Sequence, residues 1–438
     1  VSMAIDGLVS GLDTTGLIKS LMQLEAVPQT LLKNKVSEST ALISALQGLN
    51  TSVAGLATLA TKTAKTDSLD LFTASSSPPT VTAAVTTGAS AGQIDLVVDK
   101  LAQTHVSVSD ALTAWPDTSL TITSAGGTPT TITAASTSLD DVVSAINTAG
   151  AGVTATKVAV GAAGFRLQLT ATASGAAGSF TVSGTAAAMT EVKAGQDAQV
   201  TLWAGTSAAQ AITSSTNTFA NLLPGVAITV SAVSVDPVSV KVARNDAAIS
   251  TVASDLVNGL NGVFALIATK SAVVNSTTGS GAAVVSGGVF TGDSTVRDIN
   301  QRILSAASLP VNGRSPSEIG ISISKTGTME FNATKFAAAL QKDPAGVEAT
   351  LQEIASRVSV AASSASDKFS GQITAKVTGQ QSLVKDLGNR IADWDLRLAS
   401  RKSSLERTYA ALEVQLSNMN SQSSWLSAQI AGLPSGGA

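Results

Sequence analysis

His105 is the sole histidine of this 438-residue chain, which has no cysteine. A Ser-His-Asp relay needs a histidine held between a nucleophile and an acid, and zinc sites draw on several His or Cys ligands. One imidazole makes neither. The lack of thiols excludes disulfides, zinc ribbons, iron–sulfur clusters and thiol catalysis. Carboxylate pairs occur at Asp95/Asp99 and Asp140/Asp141. Two acids flanking a sugar cleft would suit glycoside cleavage, but aromatic residues are only 3% of the chain, with one tyrosine, Tyr409. These acids therefore read as solvated or capping groups. Gly279-Ser280-Gly281-Ala282-Ala283-Val284 resembles the start of a dinucleotide loop. Valine replaces the third glycine and no acid follows at the needed place, so it reads as a flexible loop. The triplets at Asn50, Asn275 and Asn332 match a glycosylation acceptor and are short enough to arise by chance. The residues point to no enzyme, no cofactor and no metal site.

Composition narrows the class further. Hydrophobic residues are 44% of the chain, enough for real cores, and the apolar mass is Ala, Val, Leu and Ile. Small aliphatics suit packed helices and thin β layers better than an aromatic-lined ligand pocket. The net charge is −3, from 27 basic and 30 acidic side chains without a basic cluster, so nucleic acid is not an expected partner. No window approaches about 18 consecutive apolar residues, and no membrane insertion is expected. The opening Val1-Ser2-Met3-Ala4-Ile5-Asp6-Gly7 lacks a basic, then apolar, leader. If the protein is exported, the expectation is a route without a cleaved signal peptide.

Both ends carry helical periodicity. Leu17, Leu21 and Leu24 share a face, with Asp13 as N-cap, and Pro28 separates this helix from the next. Leu42, Leu46, Leu49, Val53 and Leu56 form a second stripe. Near the C-terminus Val384, Ile391, Leu398, Leu405, Leu412, Met419 and Leu426 recur every seven residues, with Leu387 and Trp394 in the first +3 positions. A sustained seven-residue repeat keeps one stripe facing a partner helix in a coiled coil of roughly 60 Å. Arg401 and Thr408 interrupt the seam, so it is expected to depend on assembly. These stripes are either intramolecular core or contact surface. The stripe of Leu17, Leu21, Leu24, Val384, Ile391, Trp394, Leu398, Leu405, Leu412, Met419 and Leu426 is the candidate assembly interface.

Between the ends, Ile94-Leu96-Val98, Phe165-Leu167-Leu169, Val226-Ile228-Val230 and Val238-Val240-Val242 alternate with period two. Ser138 and Asp141 begin one interrupting helix. From about Asn245 helical spacing returns at Leu256, Leu260, Val263 and Ile267. Ser276 to Gly288 reads as a loop, Asp293 as a cap for Val296, Ile299 and Ile303, and Ile319 to Phe331 as a hairpin turning at Lys325-Thr326-Gly327. Asp343-Pro344 opens a helix carrying Val347, Leu351, Ile354 and Val358. The fold class is thus α+β and multidomain: a helical, coiled-coil stalk formed by both termini, with inserted β-rich head domains. The expected division is a helical leg and stalk over 1–66 and a β-rich head over 67–243, itself two small domains with 113–190 the inner one. A helical stalk domain over 244–362 and a coiled-coil leg over 363–438 complete it.

Several stretches, in order, resemble the flagellar hook-associated protein 2 family, the filament caps. Ser10-Gly11-Leu12-Asp13-Thr14-Thr15-Gly16-Leu17-Ile18 resembles its opening motif, and Asp99-Lys100-Leu101-Ala102-Gln103 its first head strand exit. Gly195-Gln196-Asp197-Ala198, Ser214-Ser215-Thr216-Asn217 and Leu223-Pro224-Gly225-Val226 are similar to a repeat shared by flagellin and hook-associated proteins. There an Asn-Gly turn is more usual than Trp203-Ala204-Gly205. Thr291-Gly292-Asp293-Ser294-Thr295-Val296-Arg297, Ser317-Glu318-Ile319-Gly320-Ile321 and Gly327-Thr328-Met329-Glu330-Phe331 also resemble the family. The resemblance implies a homo-oligomeric ring of about five subunits at the extracellular filament tip. Its implied partners are flagellin, the flagellar export apparatus and an export chaperone, and its implied role is to retain monomers and promote their assembly. The alternatives are another axial protein, such as flagellin or a hook–filament junction protein, or a coiled-coil-stalked surface adhesin.

Overall fold

The computed structural model describes residues 13–277 and 283–431. The first twelve residues, part of the opening motif among them, lie outside the described residues, as does most of the Gly279–Val284 stretch. Helices α1 (Thr14–Glu25) and α2 (Val27–Thr63) open the chain. Strands β1 (Phe72–Ser77), β2 (Val81–Val85), β3 (Gly92–Lys100), β4 (Thr104–Ser109), β5 (Ser119–Ser124) and β6 (Thr130–Thr133) precede α3 (Leu139–Ala149). Then come β7 (Val153–Ala159), β8 (Phe165–Ser174), β9 (Phe180–Ser183), β10 (Met189–Lys193) and β11 (Ala198–Leu202). Next are β12 (Gln210–Ser214), β13 (Thr218–Leu223), β14 (Val226–Val230) and β15 (Val238–Arg244). Helix α4 (Asp246–Ser271), the ribbon β16 (Val273–Thr277) and β17 (Ala283–Gly287), and α5 (Ser294–Ser308) follow. The chain ends with β18 (Ile321–Ile323), β19 (Met329–Phe331), α6 (Ala333–Lys342), α7 (Pro344–Ser366) and α8 (Gln372–Ala431). It forms two compact units, one joining Val1–Ser68 to Ser250–Ala438 and the other Leu69–Ile249.

In the β unit every strand pair is antiparallel, and period-two alternation supplies two cores. The five-stranded sheet β1-β15-β3-β11-β12 and the three-stranded sheet β13-β14-β2 bury Leu96, Val98, Val200, Phe219, Ile228 and Val240 between them. The sheets β10-β4-β8-β7 and β6-β5-β9, with α3, enclose Trp115, Leu120, Ile122, Ile146, Leu167 and Leu169. Trp203 takes φ +50° at the β11–β12 turn, where an asparagine is more at home.

The helical unit is built on α2. It buries the stripe Leu46, Leu49, Val53 and Leu56, and along its length it packs against α7 and α8. Helices α2 and α4 have the length and apolar composition of membrane spans. In this fold the apolar faces are core: Leu256, Leu260 and Val263 of α4 are buried. A methyl group added at Gly259 would stand 3.1 Å from Leu59, which marks how closely α4 approaches α2. The expected caps form, with Asp293 accepting from the Val296 amide of α5 and Asp343 from the Gly346 amide of α7. One expectation is corrected. Ser276 to Gly288 is not simply a loop: β16 and β17 pair from Val273↔Gly287 to Thr277↔Ala283. Each valine of the ribbon faces a Gly, Ser or Asn across the ladder, and that composition masks the strands.

Candidate assembly surface

The candidate stripe is positioned by an antiparallel helix pair. Asp13 caps α1 by accepting from the Gly16 amide at 2.6 Å, in a spot where a Cβ on residue 16 would collide with the carboxylate. Helix α1 ends at Glu25 and α2 begins at Val27, with Pro28 in its first turn. Proline is tolerated there because those amides have no intrahelical acceptor. Two polar contacts fix the register against α8. Gln29, buried, donates to Asp395 and to the Ile391 carbonyl, and Glu25 pairs with Arg401 at 3.2 Å. Moving toward the N-terminus on one helix thus moves toward the C-terminus on the other.

That register grades the seven-residue stripe. Leu387, in a +3 position, is buried, and Val384, Ile391, Trp394, Leu398 and Leu405 are half-buried. Leu412, Met419 and Leu426 are 42%, 64% and 54% exposed, and Val414, Trp425 and Ile430 beside them are also open. On α1 the buried residue is Ile18, whereas Leu17, Leu21, Leu24 and, further on, Leu31 are exposed. The sequence stripe therefore divides into a half-covered stem and two uncovered surfaces, one on α1 and one on the outer part of α8. The polar interruptions have their own roles. Arg401 holds Glu25, and the Thr408 hydroxyl donates back to the Ser404 carbonyl.

The root of α8 is anchored in two ways. Ile373 is buried. Lys376 reaches Asp293 at 2.6 Å, and this carboxylate also caps α5; the Asp293 side chain is 8% exposed and that of Lys376 23%. Removing it deletes a cap, worth about 1 kcal/mol, and strands the ammonium of a pair whose charged hydrogen bonds contribute about 1.5–3 kcal/mol. Asp293→Ala is expected to lower stability by on the order of 3 kcal/mol. Lys376→Met, which keeps the cap, should cost clearly less. Urea denaturation checks both, and equal losses would show that the ion pair carries the whole effect and the cap contributes nothing.

A second anchor is acid-sensitive. The Arg314 guanidinium, 2.8 Å from Asp343, and the Gly346 amide hold this carboxyl below the ordinary aspartate range. The Ser370 and Phe369 amides do the same to Asp367, between α7 and α8. Both shifts are downward, so their stabilising contribution is present above the usual aspartate pKa of about 3.9. It is lost as pH falls through the lower folded values. The urea midpoint should drop below about pH 4. Asp343→Asn should start lower and lose less on acidification; an unchanged acid slope would exclude Asp343 as a source.

The residues weighed for chemistry are scattered and structural. His105 is buried, stacked on Phe180 at 4.3 Å, with Nε2 2.8 Å from the Ser107 hydroxyl. Asp99 accepts from Thr201, Asp140 pairs with Lys157 at 2.9 Å, and Asp141 accepts from Ser136. Among the described residues no three His or acidic side chains gather as a metal site.

Comparison with known proteins bears on the same elements. The family model described as flagellar hook-associated protein 2 C-terminus matches residues 195–421, and its N-terminus counterpart matches residues 10–105. A flagellin hook IN motif matches residues 119–173. The flagellar hook-associated protein 2 of Escherichia coli O157:H7 is 27% identical, and that of Escherichia coli strain K12 28% identical. Each match covers 97% of this chain and 97% of the relative. The crystal structure of the flagellar cap protein FliD, domains D1-D2-D3, from Escherichia coli superposes with a TM-score of 0.63 at 26% identity. The superposition covers 77% of this chain and 99% of that one.

Proposed function

The chain belongs to the flagellar hook-associated protein 2 family, and from that premise we propose that it is the structural cap at the tip of the bacterial flagellar filament, where it promotes flagellin assembly and prevents loss of monomers. The observation that carries the mechanism is the graded seam. A helix pair locked by Gln29–Asp395 and Glu25–Arg401 projects apolar side chains that its own partner helix leaves open. A surface of this kind does mechanical work: it seats against other helices and can release them, with no bond made or broken.

In this reading copies of the chain form a homo-oligomeric ring of about five subunits. The Leu17, Leu21 and Leu24 face and the Leu412, Met419 and Leu426 face meet neighbouring copies or the flagellin subunits at the tip. The protein reaches that extracellular position through the flagellar export apparatus, escorted by an export chaperone. Nothing in the scattered acids or His105 supports a catalytic reading. Among the axial-protein alternatives, the matched relatives bear the hook-associated protein 2 and cap names, which favours the cap.

The test is complementation. In a flagellated bacterium lacking its own cap protein, expression of this chain with its cognate flagellin should restore filaments and lower free flagellin in the medium. Failure to retain flagellin, despite normal export of the chain, would overturn the reading.

A further inference from the structure

The two halves of the β unit are joined by a polar neck. Their apolar cores have no residue in common, partly buried members included. The chain passes from the outer half, around Leu96 and Ile228, to the inner half, around Trp115 and Leu167, at 101–103 and returns at 194–197. These two crossings pair. The Gln103 amide donates to the Gln196 carbonyl at 2.8 Å, and the Gln196 amide to the Gln103 carbonyl at 3.1 Å. The Gln196 side chain donates to the Leu101 carbonyl at 3.0 Å. The Asn217 side chain accepts from the Ala102 amide at 2.7 Å and so seats one crossing on the outer half.

The turn after β8, which belongs to the inner half, fills the corner beside this neck. The Ser174 hydroxyl donates to the Ser215 carbonyl at 2.7 Å, and the Ala176 amide to Asp197 Oδ1 at 2.7 Å. Asp197 and Ser215 belong to the outer half. The Gly175 amide, 3.0 Å from the Gln103 carbonyl, shares that acceptor with Gln196. The fit is close. Gly175 is buried at φ +86°, and a Cβ there would stand 2.5 Å from Asp197 Oδ1 and 2.7 Å from the Ser215 Cα. A Cβ at Gly195 would stand 2.6 Å from the Gly175 carbonyl oxygen. The stretches 195–198 and 214–217, similar to a repeat of hook-associated proteins, thus converge on one corner. Its side-chain bonds lie at the surface: Ser174 and Asp197 are half-buried and Ala176 is exposed. Water replaces such bonds at small net cost, and halves joined without a large apolar interface move relative to each other unless something holds them.

We propose that this corner is a latch on a hinge. The paired crossings at 101–103 and 194–197 are the pivot, and the Asp197–Ala176 and Ser174–Ser215 hydrogen bonds hold the inner half in one orientation. A hinge places its change of φ and ψ in a few residues at the ends of elements, and the crossings, which lie between strands, supply them. Because Gln103 and Gln196 bond each other, the pivot keeps its pairing when the β8 turn lifts away. Released, the inner half swings about the neck with both cores intact; closed, the two halves move as one body. The latch lies within one unit of one chain and is independent of the cap reading.

The absence of cysteine makes the test direct. Ala149→Cys, at the end of α3, and Ser207→Cys, in the β11–β12 turn, put one exposed spin label on each half. The labelled full-length chain is diluted in excess unlabelled chain, so that pulsed electron resonance reads distances within single chains. The otherwise native sequence should give one narrow distance distribution. Asp197→Ala combined with Ser174→Ala should broaden it about twofold or more, while amides of β3, β8 and β14 keep their protection from exchange. Asp197→Asn alone retains an acceptor oxygen and should keep the narrow distribution. A double variant as narrow as the native sequence, or a native distribution already as broad as the variant's, would overturn the latch. Broadening accompanied by loss of protection in either core would also overturn it, since the bonds would then serve folding and not orientation.

Discussion

Replacing Leu412, Met419 and Leu426 by aspartate is expected to abolish assembly and leave the melting of the isolated chain unchanged. The three side chains are exposed in the single chain, so the folded monomer loses little apolar burial when they change. In the proposed assembly the seam is covered. Burial of each such side chain is worth about 1.5–3 kcal/mol, so the stripe loses on the order of 5–9 kcal/mol per copy. Charge placed in a covered seam adds a desolvation penalty. Since 1.4 kcal/mol is about tenfold in an equilibrium constant, association should weaken by more than about a thousandfold. Sedimentation of the purified variant should report monomer, and cells carrying it should shed flagellin. Leu405→Asp behaves differently, because Leu405 is half-buried in the stem; it should lower helix melting as well as assembly. A triple variant that still builds wild-type rings and full filaments would remove this seam from the mechanism.

The contrast between Leu405 and Leu412 shows what the sequence could reveal. A seven-residue period is a local property of the chain, and it identified the stripe from Val384 to Leu426. How deeply each member is covered depends on the antiparallel register of α1–α2 against α8. That register is set by contacts between residues more than 360 positions apart, Gln29 with Asp395 and Glu25 with Arg401. Neither pair leaves a local signature. The caps at Asp13, Ser138, Asp293 and Asp343 were legible for the opposite reason, since a cap bonds amides two or three residues away. Asp293 was legible as a cap but not as the partner of Lys376. Strands β3, β8, β14 and β15 were legible because each buries alternate residues along its length. The β16–β17 ribbon was not, because the adjacent Val273 and Val274 are both exposed, so no period-two contrast marks it.

Trp115→Ala is expected to cost about 3–5 kcal/mol, the usual range for deleting a buried aromatic. That is a large part of the roughly 5–15 kcal/mol by which a domain is stable. Trp115 is 1% exposed and is the largest fully buried side chain of the described residues. It packs in the core formed with Leu120, Ile122, Leu139, Ile146 and Leu167, and its amide donates to the Thr137 carbonyl. Its indole Nε1 is buried without a hydrogen-bond partner, an arrangement that costs about 1–3 kcal/mol. Trp115→Phe removes that donor while keeping most of the ring, so its loss of packing is offset and the net change should be within about 1 kcal/mol. The two substitutions separate volume from polarity at one site. Because Trp115 belongs to the core around α3 and not to the one around Leu96 and Ile228, the damage should be local. Hydrogen exchange in Trp115→Ala should accelerate in β5, β7 and β8 first, with β3 and β14 retaining protection. If Trp115→Phe proves as damaging as Trp115→Ala, the indole nitrogen has a partner such as an ordered water. If all strands lose protection together, the two cores unfold as one cooperative unit, and a head built from two separately stable halves is ruled out.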